Sequence, residues 1–205
     1  MKTISQAVRD IEERTGVPEG FFDNLKSEDD WSFIIKSHAL IEASCSQLLT
    51  EKFENRELLD VFSRLELGDK QSGKIAFIKS LELLESPERR FISSLSELRN
   101  MLVHNVRFTN FDISTYVHGL DKQQKKSFVQ NFGYAYLPEK EDEDYESDFQ
   151  TIIKKPKETI WKGLKLVLAI LSLQIESIEL KRQMDQHLRG VGRIAKRPVL
   201  IATKA

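Results

Sequence analysis

The stretch Glu97-Leu98-Arg99-Asn100-Met101-Leu102-Val103-His104-Asn105 closes a segment with the apolar periodicity of a helix. That segment opens at Ser86-Pro87. Ser86 suits a helix N-cap, and Pro87 fits the first helical position, where a missing N–H costs nothing. Downstream, Phe91, Leu95, Leu98 and Leu102 recur at intervals of four, three and four, which puts them on one face at about 100° per residue. The spacing predicts an amphipathic helix lying on a core. Arg99 falls at the border of the apolar face, while Asn100 and His104, four residues apart, share the far side. An ordinary helix end also accommodates a surface Arg and a His that favours the C-terminal dipole, so the spacing alone assigns no chemistry.

Upstream the same periodicity continues. Ile4, Val8 and Ile11 predict a short accessory helix over 4–14, stopped by Gly16 and Pro18. Ser27 and Asp30 suggest a capping-box variant before a long helix from about Trp31 to Phe53, where Ile34, His38, Ile41, Cys45 and Leu48 form a buried stripe. His38 on that stripe reads as a neutral, hydrogen-bonded core residue, with Glu42 one turn on as its nearest acid. A helix over 56–65 carries Leu58, Leu59, Phe62 and Leu65. Another, over 74–84, carries Ile75, Ile78 and Leu81. Short connections between these helices predict antiparallel neighbours. Lys74 and Lys79 could serve phosphates, though isolated lysines on a bundle are expected to be solvated.

Beyond His104 the character changes. Val106, Phe108, Phe111, Ile113 and Tyr116 are β-branched or aromatic among polar residues and predict an irregular segment or a small hairpin. A short helix is expected over 121–132. The run 139–148 is almost wholly acidic and is expected to form a solvated, mobile loop, without the spacing of an EF-hand. A long helix over about 157–188 has an apolar centre, Leu164 to Leu173, too short and too interrupted by Lys165 to span a bilayer. It reads as the most buried helix of a bundle, or as one shared with a second subunit. The segment 189–205 reads as a basic tail. Lys181, Arg182, Arg189 and Arg193 form the one concentrated positive stretch and are candidate RNA contacts.

These elements divide the chain into an accessory region over 1–26, a bundle over 27–188 and the tail. The fold class they predict is all-α. At 205 residues the chain is long enough to bury about 70% of its unfolded surface. Its 31 basic and 32 acidic residues give a net charge of −1, so any nucleic-acid contact must come from a local patch. One cysteine, Cys45, and an N-terminus without an apolar leader lead us to expect a reducing, cytoplasmic setting. No glycine-rich phosphate loop, Cys/His zinc spacing, His-Glu-x-x-His pair or nucleophile elbow is present, so no metal or other cofactor is expected.

Arg99-Asn100-Met101-Leu102-Val103-His104 resembles the Arg-x(4–6)-His signature of the HEPN superfamily of helical bundles. Leu67-Gly68-Asp69, the helix from Lys74, the motif helix and Phe108-Thr109-Asn110-Phe111-Asp112-Ile113 are similar to the layout of its mannitol-operon-repressor-like branch. The resemblance implies a HEPN-like antiparallel bundle. It also implies a metal-independent endoribonuclease of the toxin or defence kind that leaves 2′,3′-cyclic phosphate ends. His104 would move the proton of the 2′-hydroxyl, Arg99 would stabilise the phosphorane and Asn100 would polarise or position the site. Residues five apart on a helix diverge by about 140°, so one chain cannot aim Arg99 and His104 at the same phosphate without distortion. A homodimer that pairs two motifs answers this. The implied partners are RNA, a second copy and an antitoxin or regulatory protein. The same branch also implies the alternative of a non-catalytic HEPN-fold regulator.

Overall fold

The computed structural model describes residues 2–105, 108, 110–135 and 145–194, with the backbone alone at 145 and 189–194. Among these residues there are ten α-helices and no strand: α1 (Ile4–Thr15), α2 (Phe21–Asn24), α3 (Asp30–Lys52), α4 (Leu58–Arg64), α5 (Lys74–Ser80), α6 (Ser86–Val103), α7 (Ile113–Gly119), α8 (Lys122–Phe132), α9 (Tyr145–Lys154) and α10 (Pro156–Ile194). The all-α bundle with a long C-terminal helix expected from the sequence is what forms.

α3 is the central helix, in contact with α1, α4, α5, α6 and α10. Its stripe of Ile34, Ile41, Cys45 and Leu48 is fully buried, against Phe91, Ile92 and Leu95 of α6 and Leu164, Val167, Leu168 and Leu171 of α10. Each fully buried Leu, Ile or Phe favours the fold by about 1.5–3 kcal/mol over exposure, so this one cluster supplies most of the drive to fold. α1 lies against α3 and α10 through Val8 and Ile11, and Arg14 donates to both oxygens of Glu179 at 2.8 and 2.7 Å. No helix among the described residues is long and apolar enough to cross a membrane.

Several local expectations change. The cap of α3 is Asp29, whose carboxylate accepts from Ser32 N at 2.9 Å, and not Ser27. Asp30 is drawn away by Lys157, at 2.9 Å, and by the Ile113 amide, at 2.8 Å. Glu85 is the N-cap of α6, with Ser86 already helical. The helices expected over 56–65 and 74–84 shorten to α4 and α5, the second because Glu82 turns at φ 52° and sends Leu83 and Leu84 into the core.

The hairpin expected after the motif helix is absent from the described residues, and Ile113 and Tyr116 lie in helix α7. Asp112 caps it by accepting from Thr115 N at 2.6 Å, and Ile113 and Val117, four apart, are both fully buried. Capping and burial outweigh β-propensity there. The acidic run is no loop over its last part: residues 145–148 open α9, where Glu146 and Asp148 complement the N-terminal dipole. Positions 139–144 lie outside the described residues. The expected tail begins as helix, because α10 continues to Ile194, and 195–205 lie outside the described residues.

Candidate active site

α6 carries the motif. Its apolar face buries Phe91, Leu95, Leu98 and Leu102, which turns Ser86, Arg90, Ser93, Glu97, Asn100 and His104 to the opposite side. Arg99 is half-buried and donates from Nη1 to Asn100 Oδ1 at 3.0 Å. Both line a pocket of about 400 Å³ between α3, α6 and the chain over 63–69, with His38, Glu42 and Ser96 among the other walls. His104 is exposed at the C-cap of α6, its amide bonded to Asn100 O at 3.2 Å, and it does not line this pocket. One chain therefore brings Arg99 and Asn100 together and leaves His104 outside the pocket, with Arg99 and His104 diverging as their spacing of five requires.

What lies behind the pocket wall is the unexpected part, because Lys74 bonds to three lining residues without lining the pocket itself. Lys74 is fully buried, not solvated. Its ammonium donates to Glu42 Oε1 at 3.0 Å, to Ser63 O at 3.5 Å and to Leu65 O, so its three hydrogens have three acceptors. The enclosing loop depends on Gly73, whose Cβ would stand 2.4 Å from Glu66 O and 2.6 Å from Asp69 O. That closeness lets Lys74 N reach Glu66 O at 2.9 Å and Ile75 N reach Leu67 O at 3.2 Å. Asp69 holds the turn by accepting from Gln71 N at 2.7 Å and Ser72 N at 3.1 Å, which lowers its pKa. Gly68 seats the loop on α6, since a Cβ there would be 2.9 Å from Ser96 Cβ.

His38 is buried beside this pair. Its Nδ1 lies 3.9 Å from Glu42 Oε2, beyond hydrogen-bonding reach. Burial pushes the His38 pKa down to about 4, against the pull of Glu42 and with help from the positive charges of Arg99 and Lys74. His38 is thus uncharged at neutral pH, as its place on the stripe predicted. With Glu42 paired with Lys74, the remaining charges on the wall, Arg64 and Arg99 against Glu66, Asp69 and Glu97, leave it with one excess negative charge. Among the described residues no three His, Cys, Asp or Glu side chains converge as a metal-ligand set.

Sequence reasoning missed Lys74. One signal was available: a lysine at the first turn of α5 opposes the helix dipole, and such a residue needs another reason to be there. The candidate RNA contacts on α10 divide. Lys181 is exposed, Arg182 pairs with Glu51 at 3.2 Å, and the side chains of Arg189 and Arg193 lie outside the described residues. Compared with protein-family models, curated proteins and solved structures, the chain finds no match.

Proposed function

We propose that the chain is a HEPN-like, dimeric, metal-independent endoribonuclease of the toxin or defence kind. The observation that supports this best is the meeting of Arg99 and Asn100 at a pocket walled by an uncharged, buried histidine, with His104 one turn along the same helix. An RNA strand brings its own nucleophile. The 2′-hydroxyl oxygen attacks the adjacent phosphorus and its proton passes to a histidine. The P–O5′ bond then breaks and the 5′ oxygen takes up a proton, leaving a 2′,3′-cyclic phosphate and a 5′-hydroxyl. Arg99 offers a guanidinium fork to the phosphorane oxygens, and Asn100, bonded to it, fixes its direction. His104 is supplied across a two-fold axis by the second copy. An antitoxin or regulatory protein is the partner this activity implies.

The second reading is a non-catalytic HEPN-fold regulator, and the excess negative charge of the pocket wall, which opposes a phosphate backbone, favours it. Cleavage of mixed RNA in excess EDTA by wild type, Arg99→Ala and His104→Ala separates the two. The ribonuclease cuts, leaves cyclic ends and loses about 100-fold or more with either substitution. Failure of folded wild-type dimer to cut several RNAs gives the regulator.

A further inference from the structure

Beside the Arg99 pocket lies a second groove, of about 390 Å³, between α5 and the first half of α6, with Asn131 of α8 on its wall. Its charge is strongly positive where that of the pocket is slightly negative. Lys70, Lys79, Arg89 and Arg90 line it against a single carboxylate, Glu97. Lys70 and Glu97 are 3.9 Å apart with side chains 75% and 70% exposed, a pairing too solvated to cancel much charge. Among the described residues Lys79, Arg89 and Arg90 have no carboxylate within ion-pair distance; Arg89 donates to Leu84 O, Arg90 donates to Ser86 Oγ at 2.9 Å, and Arg90 Nε is buried without a partner. Three uncompensated cations in one concavity are a cost to the fold that an anion would relieve.

The groove also has a direction. It shares Ser93 and Glu97 with the Arg99 pocket, so the two concavities adjoin along α6. Ser86, Arg90, Ser93, Glu97, Asn100 and His104 follow one line on that helix to within about 40°, over a rise of about 27 Å. Two hydroxyls, a guanidinium, an amide and an imidazole lie along it, donor types that contact phosphate oxygens, with the Glu97 carboxylate the one exception.

We propose that this groove binds the phosphodiester backbone of single-stranded RNA and leads it along α6 to the Arg99 pocket, a role that rests on the ribonuclease reading for its choice of ligand. Glu97, at the junction of groove and pocket, opposes the strand and keeps its hold loose. The track lies on α5 and α6, not on the basic end of α10.

Binding to an uncleavable 2′-O-methyl oligoribonucleotide, read by fluorescence anisotropy across a KCl series, tests this apart from catalysis. Lys70→Ala with Lys79→Ala, both at exposed positions, weakens binding about tenfold or more and flattens the slope of log K against log[KCl] by about 1.4, or about 0.7 for each lost contact. Glu97→Gln tightens binding. Unchanged affinity and slope in the double variant overturn the proposal, as does absence of binding by the wild type, or a loss that follows Lys181→Ala instead. If the wild type binds and the groove variants weaken it while no RNA is cut, the groove stands and the ribonuclease reading falls. If RNA is cut and the groove variants bind like wild type, the ribonuclease stands and the groove falls.

Discussion

Lys74 Nζ lies 3.0 Å from Glu42 Oε1, with the lysine side chain fully buried and the carboxylate 32% exposed. The two ends of this pair are therefore not equivalent. Glu42→Gln leaves an ammonium in the core with only neutral acceptors, and should cost about 3–5 kcal/mol. Lys74→Met leaves a carboxylate that water can reach, and should cost clearly less. Urea unfolding of the two variants checks the order; equal losses would mean that Lys74 is solvated in the native protein.

His38 makes stability depend on acid. Its folded pKa of about 4 lies below the unfolded value of about 6.5, so between these the unfolded chain holds a proton that the native chain does not. Stability from this group is complete above about pH 6.5 and is lost as pH falls toward 4, by roughly 3 kcal/mol in all. Denaturant midpoints for wild type and His38→Gln should diverge in that window, with the variant the flatter of the two. Parallel curves would place the titration elsewhere.

Gly73 is held between two carbonyl oxygens, with φ −80° and ψ 175°, a conformation any residue can adopt. Its requirement is space. Gly73→Ala should destabilise by about 1–3 kcal/mol, because the methyl meets backbone and not a movable side chain. The same loop encloses Lys74, so hydrogen exchange at the amides of Lys74 and Ile75 should quicken along with the loss of stability. A neutral substitution would show that the turn over 66–73 is looser than its hydrogen bonds imply.

What was legible in the sequence was what periodicity encodes. The stripes of α3 and α6 turned up buried in the register their spacing required, and the divergence of Arg99 from His104 followed from helix geometry alone. What was not legible depended on neighbours distant in the chain. Lys74 looks like any surface lysine until the loop over 66–73 folds over it and Glu42, 32 residues away, meets it. Ile113 and Tyr116 read as strand formers because their burial against the bundle is not visible in local propensity. Asp112, a good cap, was the cue that outranked it. The basic groove was missed for a similar reason: Lys70, Lys79, Arg89 and Arg90 are scattered along the chain, and it takes the packing of α5 on α6 to gather them.

Complementation between inactive variants tests whether Arg99 of one copy works with His104 of another. Arg99→Ala and His104→Ala proteins are each purified, mixed in equal amounts, allowed to exchange subunits and assayed for RNA cleavage. Half of the dimers are then mixed, and each mixed dimer carries one intact shared site out of two, so activity should return to about a quarter of the wild-type value. A mixture that forms mixed dimers and stays as inactive as its components would contradict the shared site.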